Sequence, residues 1–182
     1  MNSKENVIAH TIKWISDVVV ACNFCPFAAR EIKRNSIDYE VLFSGGITEC
    51  LEALLKAFHK MDQETEVETL FIIMPGSFPS FGSYLQLVEL SENLLKDEGY
   101  EGIYQLASFH PLYLFEGAGQ DDPANYTNRS PYPMLHLLRE ESVTKAIDTY
   151  PGTEKIPQKN IEYARARGLA YMKTLQESCV TK

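Results

Sequence analysis

The sequence predicts an α/β fold with a small three-stranded sheet, expected to be parallel, in a β-α-β-α-β order between N-terminal and C-terminal helices. Short β-prone runs alternate with longer segments whose apolar residues recur at helical spacing. Turn-forming residues separate these segments, as in Ser44-Gly45-Gly46 and Pro75-Gly76. No repeat, linker or low-complexity tract interrupts the chain, which favours a single domain over residues 1–182.

The N-terminal part of the chain contains two predicted helices. The first carries apolar residues at steps of four, three, four and three, namely Ile8, Ile12, Ile15, Val19 and Cys22. This helix is expected to end near Asn23. The second helix begins with Pro26 in its first turn and continues to about Arg34, because proline is tolerated at the start of a helix.

The middle of the chain supplies the predicted sheet. The three strands cover residues 38–43, 69–74 and 103–109, and the second is a continuous apolar run, as expected when both faces of a sheet are covered. The helix after the first strand is capped by Thr48. Ser83 followed by Gln86 matches a capping box, so the next helix should start near Tyr84 and end by Gly99.

The C-terminal part is predicted to be helical after a long polar loop at residues 116–130. Ser130 is expected to cap a helix with Pro131 at its first position, and Pro151-Gly152 should break it. A last helix is expected to begin at Pro157. Its inner face is formed by Ile161, Ala164, Gly168, Met172 and Leu175.

Composition and charge exclude several classes of protein. The chain has 182 residues, of which 45% are hydrophobic and 23% charged, as in ordinary globular domains. A net charge of -8 disfavours nucleic acid as a partner. The longest apolar runs, such as residues 18–22, are too short for a bilayer, and the N-terminus lacks an apolar signal core. We therefore expect a cytoplasmic protein with no membrane partner.

The loops that follow the three strands carry the first group of candidate site residues. If the strands are parallel, their carboxyl ends share one edge of the sheet, where open α/β folds bind ligands. Gly45, Gly46 and Ser77 follow the first two strands, and His110 follows the third. Glycine backbones and helix N-termini favour a phosphate or carboxylate, although each turn alone is more typical of simple chain reversal.

The segment from Asn125 to Pro133 carries the second group. Arg129 could hold an oxyanion with its forked guanidinium, while Asn125, Asn128 and Ser130 orient the substrate. The alternative is that Asn128 and Ser130 cap and turn the chain while Arg129 pairs with an acid.

Two histidines are candidates for proton transfer or for positioning. His110 fits a general base because imidazole titrates near neutral pH, and a structural role is the alternative. His136 lies four residues before Glu140 on the predicted helix, close to Arg139. His136 and Arg139 could assist Arg129 in binding the substrate, although pairs such as His136 and Glu140 also arise by chance on helix surfaces.

The cysteines allow one further hypothesis. Cys22 and Cys25 form a CxxC pair, and thiolates at a helix N-terminus are the basis of thiol redox sites. The helical stripe that ends at Cys22 predicts instead that at least one thiol is buried packing, which leaves Cys25 as a lone candidate nucleophile. Paired metal-ligand spacing is missing, so no metal site is predicted, and the other two cysteines complete no disulfide framework.

Three blocks of the sequence resemble the signatures of the bacterial domain of unknown function 1415 family. They are residues 23–28, residues 109–111, and residues 125–133 with His136 and Arg139. The resemblance extends over nearly the whole chain. It implies a bacterial, stand-alone cytoplasmic protein whose three blocks form one site, and it brings no reaction, substrate or cofactor.

These observations lead to three hypotheses of function. The first is an enzyme, a hydrolase or transferase, that acts on a small anionic metabolite in a pocket between His110 and Arg129. The second is a non-catalytic binding or interaction module with an apolar patch at Phe78, Phe81 and Tyr84. The third is a thiol redox protein that uses Cys22 and Cys25. The sequence assigns neither a cofactor nor an oligomeric state.

Overall fold

A computed structural model describes residues 3–180 of the chain. Its first half contains helix α1 (Lys4–Trp14), a π-helical segment (Ile15–Val20), α2 (Ala28–Arg34), strand β1 (Ile37–Val41), α3 (Ile47–Gln63) and β2 (Thr69–Ile73). Its second half contains α4 (Phe81–Asp97), β3 (Tyr104–Phe109), β4 (Met134–Arg139), α5 (Glu140–Thr149), α6 (Ile156–Arg167) and α7 (Leu169–Ser178), with short 3₁₀ turns at Pro123–Thr127 and Thr153–Lys155. The predicted α/β class is confirmed.

The sheet has four strands in the spatial order β1-β2-β4-β3. Strands β1 and β2 are parallel, whereas β4 is antiparallel to both of its neighbours. The three predicted strands therefore point in the same direction, but β4 separates the third from the second. The prediction of a three-stranded parallel sheet is wrong in the number of strands and in their pairing.

The error arises at residues 130–139, which were expected to form a helix. The Ser130 hydroxyl donates to the Tyr132 carbonyl and does not cap a helix. A strand follows at Met134–Arg139, and the helix α5 begins only at Glu140. Because β4 has a strand on each side and helices over both faces, Leu135 and Leu137 are as buried as Met134. The resulting apolar run lacks the alternation that marks a strand covered on one face only.

Two apolar layers cover the sheet. On one face α3 and α4 pack through Leu54, Phe58 and Leu87. On the other face α1, the π-helical segment, α6 and α7 pack through Val7, Ala164 and Met172, among others. The predicted stripe of the N-terminal helix is only partly buried: Ile15 and Cys22 are buried, whereas Ile12 is 41% exposed. The buried face of α1 is displaced by one residue and consists of Val7, Thr11 and Trp14. The residues after α1 adopt π-helical hydrogen bonds, such as Phe24 N–H to the Val19 carbonyl at 2.8 Å.

Several helix boundaries differ from the predictions. Helix α2 begins at Ala28 rather than at Pro26, and α3 begins at Ile47 with Gly46 at its cap position, so Thr48 lies within the first turn and does not cap the helix. Helix α4 begins at Phe81 because Ser80, rather than Ser83, is its cap and accepts the Ser83 N–H. The expected C-terminal helix is divided into α6 and α7 at Gly168, whose φ of +83° lies outside the helical region. Along residues 3–180, no helix has the length and apolar character that crossing a membrane requires.

Arg139 fastens the end of β4 to the end of α3. Its guanidinium donates to the carbonyls of Met61, Glu64 and Val67, which belong to the last turn of α3 and the segment that follows it. Carbonyl groups at the end of a helix have no partners within the helix. Arg139 therefore stabilises the α3–β2 connection through charge-assisted hydrogen bonds.

Replacing Arg139 with methionine is expected to lower the free energy of unfolding by about 2 kcal/mol, because the part-buried carbonyls of Met61 and Val67 lose a charged donor. Arg165→Met is the matched control: Arg165 pairs with Asp122 at 2.8 Å, but it is exposed, so its loss should cost less than about 1 kcal/mol. Urea unfolding of the two variants measures the difference. Equal losses would show that Arg139 makes no special contribution.

Candidate functional site

A cavity of about 290 Å³ lies between the sheet and the helices on the α1 side. Strands β2, β3 and β4 form its floor with Thr69, Phe71, Gln105, Ala107, His136 and Leu138. Residues of α1, the π-helical segment, α2 and α5 form its other walls, among them Trp14, Ile15, Val19, Cys25, Ala28, Val143 and Ala146. Most of the lining is apolar.

Small side chains explain why this space stays open. Ala28, Ala107 and Ala146 contribute only methyl groups from α2, β3 and α5. Ala107 lies directly opposite His136 on the neighbouring strand, so only a methyl group projects from the sheet on that side of the imidazole. Protein interiors are otherwise filled to crystal-like density, and a space of this size is uncommon.

His136 is the central polar residue of the floor. Its ring stacks on Phe71 with centroids 3.8 Å apart and an interplanar angle of 6°. Its Nε2 contacts the Thr69 hydroxyl, which donates its single proton to the Leu137 carbonyl at 2.7 Å. Nε2 must therefore carry a proton and donate to the Thr69 oxygen, which leaves Nδ1 as an acceptor.

The surroundings of His136 keep its imidazole neutral. The ring is partly accessible through the cavity, yet protein surrounds it, and this burial lowers the pKa of His136 to about 3. No acidic side chain is hydrogen-bonded to the ring among the described residues. His136 is therefore a hydrogen-bonding group without charge at neutral pH.

Cys25 lies in the wall of the cavity, between the π-helical segment and α2. Burial raises the pKa of this thiol, although the backbone N–H groups of Phe27 and Ala28 oppose the shift by hydrogen bonding to the sulfur. Cys22 belongs to the apolar layer and is only 7% exposed. The two cysteines of the CxxC pair thus lie in different surroundings, and all four cysteines are free thiols.

Charged residues border the cavity, and each has a partner: another charged residue, a hydroxyl group or a backbone carbonyl. Glu31 binds the Ser36 hydroxyl and the Arg30 guanidinium, both at 2.6 Å. Glu68 accepts the Ser142 hydroxyl, also at 2.6 Å. Arg139 borders the cavity too, while its guanidinium donates to the carbonyls near the end of α3.

His110 lies outside the cavity lining and both of its ring nitrogens are occupied. Nε2 lies 2.9 Å from the Phe78 carbonyl, and Nδ1 accepts the Leu112 N–H at 2.9 Å. The side chain is 1% exposed, and burial lowers its pKa. These contacts hold the segment after β3 that leads into the polar loop. The general-base role of His110 stays a prediction.

Arg129 and its neighbours organise the polar loop from within. The guanidinium donates to the carbonyls of Tyr113 at 3.1 Å and Gln120 at 3.0 Å, and it stacks 4.5 Å from the Tyr126 ring centre. Asn125 accepts the Phe115 N–H and donates to the Gly119 carbonyl. Asn128 accepts a hydrogen bond from the Thr127 hydroxyl.

The glycine loops after β1 and β2 meet each other rather than the cavity. Ser77 donates to the Gly45 carbonyl at 2.9 Å. The Gly46 N–H donates to the Glu49 carboxylate at 2.8 Å and so already has an anionic partner. A side chain at Gly76 would meet the Phe43 carbonyl at 2.5 Å, which explains the glycine there. A ligand role for these loops stays a prediction.

The predicted apolar patch is mostly packed into the protein. Phe78 and Tyr84 are buried, and Phe81 contacts the rings of Tyr84, His110 and Tyr113. Between residues 3 and 180, no cluster of three or more His, Cys, Asp or Glu side chains is placed to hold a metal ion.

The model of a protein family of unknown function, DUF1415, matches residues 6–174. The chain belongs to this family. No match was found among curated proteins or among solved structures. In this DUF1415 protein, the cavity brings together Cys25 and His136 from separate sequence blocks, with Arg139 at its border, while His110 and Arg129 hold a neighbouring loop.

Of the residues that line the DUF1415 cavity, sequence reasoning selected Cys25, His136 and Arg139 and missed the others, among them Trp14, Thr69, Gln105 and Ala107. One signal was present for part of this set. Thr69 is a polar group at the start of an apolar strand, a place that favours burial, and a buried polar group requires a partner.

The neutral state of His136 predicts acid sensitivity of the fold. Its folded pKa lies below the ordinary value of 6.5, so below that pH the unfolded chain binds a proton that the folded chain does not. As the pH falls from 6 to 4, protonation of His136 in the unfolded chain should therefore lower the free energy of unfolding by up to about 1.4 kcal/mol per pH unit.

Urea unfolding across this pH range, with His136→Gln beside the parent, tests the expectation. In His136→Gln, the free energy of unfolding should decrease less steeply as the pH falls. His110 contributes in the same direction but is present in both proteins, so the difference isolates His136. His59→Gln, which removes an exposed imidazole, should keep the parent slope. Parallel slopes for His136→Gln and the parent would contradict a neutral His136.

Proposed function

We propose that this protein binds a small, predominantly apolar molecule in the cavity. The observation that carries the proposal is the mostly apolar space of about 290 Å³ between the sheet and the helices. Ligand pockets begin near this volume. An engineered apolar cavity of about half the size takes up benzene, so a molecule roughly twice as large as benzene fits.

The polar groups of the cavity support binding rather than catalysis. A general base needs a pKa near the working pH, whereas burial holds the pKa of His136 at about 3. A nucleophilic cysteine needs a lowered pKa, whereas burial raises that of Cys25. Both groups can hydrogen-bond to a ligand in their neutral forms.

The charges around the cavity argue against an anionic ligand there. Arg30 is paired with Glu31, and the Arg139 guanidinium is bound to carbonyls outside the cavity. Glu31 and Glu68 add negative charge to the border. An enzyme that binds an anionic metabolite between His110 and Arg129 stays an alternative, with the polar groups of both residues already in internal contacts.

We also infer that the protein is cytoplasmic. All four cysteines are free thiols, and a reducing compartment keeps thiols in this state. A dithiol redox role for Cys22 and Cys25 is the second alternative, and the chemistry of Cys25 distinguishes it from ligand binding.

The single tryptophan provides a direct measurement of binding, because Trp14 lines the cavity. Titration with p-xylene should change the Trp14 emission in a saturable way and raise the melting temperature, as expected for a ligand of the folded state. Ala107→Leu places three carbons in the cavity and should abolish both effects.

Ala166→Leu, at an exposed position of α6, is the matched control and should bind p-xylene like the parent. The control separates loss of space from a general effect of added apolar surface. Unchanged p-xylene binding by Ala107→Leu would place the ligand elsewhere. Absence of any saturable change in the parent would remove the support for apolar ligands of this size.

Ligand binding should also protect Cys25 from alkylation. Cys25 is half-buried in the cavity wall, while the other three cysteines are buried. We expect iodoacetamide to react first with Cys25 and p-xylene to slow that reaction, as measured by mass spectrometry. Cys25→Ser should lack the protected reaction. A Cys22–Cys25 disulfide formed under mild oxidant would support the redox alternative instead.

A further inference from the structure

Two polar side chains on the cavity floor have hydrogen-bonding capacity that the protein does not use. Thr69 occupies Nε2 of His136, and Nδ1 has no partner among residues 3–180. Gln105 also lines the cavity, and its side-chain amide has no hydrogen-bond partner in the same part of the chain. Both residues are partly accessible, so a molecule that enters the cavity can reach these groups.

The register of the sheet brings these two groups together. Ala107 lies opposite His136 and Gln105 lies opposite Leu138, so Gln105 and His136 are diagonal neighbours on the same face of β3 and β4. Diagonal neighbours of an antiparallel pair have Cβ atoms roughly 7–8 Å apart or slightly less. One polar atom of a ligand can therefore contact both side chains.

We propose that the ligand is a neutral, mainly apolar molecule with a single hydroxyl group, held between His136 and Gln105. This inference rests on the proposed function of the cavity. The hydroxyl donates its proton to Nδ1 of His136 and accepts a hydrogen bond from the Gln105 amide N–H. The rest of the molecule lies against the apolar walls that Trp14 and Val19 contribute.

The donor and acceptor pattern favours a group with a proton to donate, such as a hydroxyl, over an unprotonated anion or a hydrocarbon. Nδ1 of neutral His136 is an acceptor only, so a carboxylate or phosphate without a proton has nothing to donate to it. A hydrocarbon would leave both protein groups without a partner. Sites built to hydrogen-bond a hydroxyl discriminate against analogues that lack it, because the protein groups then stay unpaired.

The test compares p-cresol with p-xylene, which have the same shape and differ by a hydroxyl in place of a methyl group. Calorimetry gives both dissociation constants for the parent, His136→Phe and Gln105→Leu. Each variant should lower the preference for p-cresol over p-xylene about tenfold, since one ligand hydrogen bond is lost. Exposed Gln86 on α4 supplies the matched control Gln86→Leu, which should keep the parent preference.

The outcomes separate this inference from the proposed function. If p-xylene binds the parent and neither variant changes the preference, the hydroxyl is not held by these residues and the inference is overturned. If neither compound binds the parent, the proposed function is overturned as well. Should His136→Phe fail to fold, Gln105→Leu decides alone, because Gln105 contributes no hydrogen bond to the described structure. Binding of p-toluate in place of both compounds would favour an anionic ligand and overturn both proposals.

Discussion

The position of β4 between β2 and β3 is the constraint on which the cavity depends. Hydrogen bonds on both sides hold β4 in register and set His136 between Phe71 and Ala107 on one face of the sheet. Phe71 presents a large ring that stacks on the imidazole, whereas Ala107 presents a methyl group. The side chains on this face of the sheet therefore become smaller from β2 to β3. The helices that cover this face do not fill the space over Ala107.

The cavity combines an apolar interior with a polar residue that carries no charge. A charged imidazole would be costly to bury without a partner, and burial at this site holds His136 in its neutral form. Open volume in a core also costs stability, by amounts that increase with the volume left empty. Under the proposed function, a ligand that fills the space would regain part of that cost, which would link ligand binding to folding stability.

The polar loop shows how residues that suggest catalysis can instead hold a fold together. A long connection must satisfy its own backbone groups, and side chains with several donors or acceptors do this efficiently. His110 binds backbone groups of Phe78 and Leu112, and Arg129 binds the carbonyls of Tyr113 and Gln120. His110 uses both ring nitrogens and Arg129 two of its N–H groups in these contacts, and the cavity lies outside this loop, where α2 and α5 contribute to its walls.

Local periodicity determined the helices and strands up to β3, because amphipathic spacing and turn residues act over a few neighbouring positions. Cys25 was selected for its CxxC pair, and His136 for a helical pairing with Glu140 that does not form, because His136 lies in β4. Tertiary structure alone decided that residues 134–139 form a central strand, since burial on both faces removes the local pattern and the pairing partners lie far away in sequence. It also decided which polar groups stay unused. A lone Gln105 in a strand carries no local signal, and only the register of the sheet places it on the same face as His136.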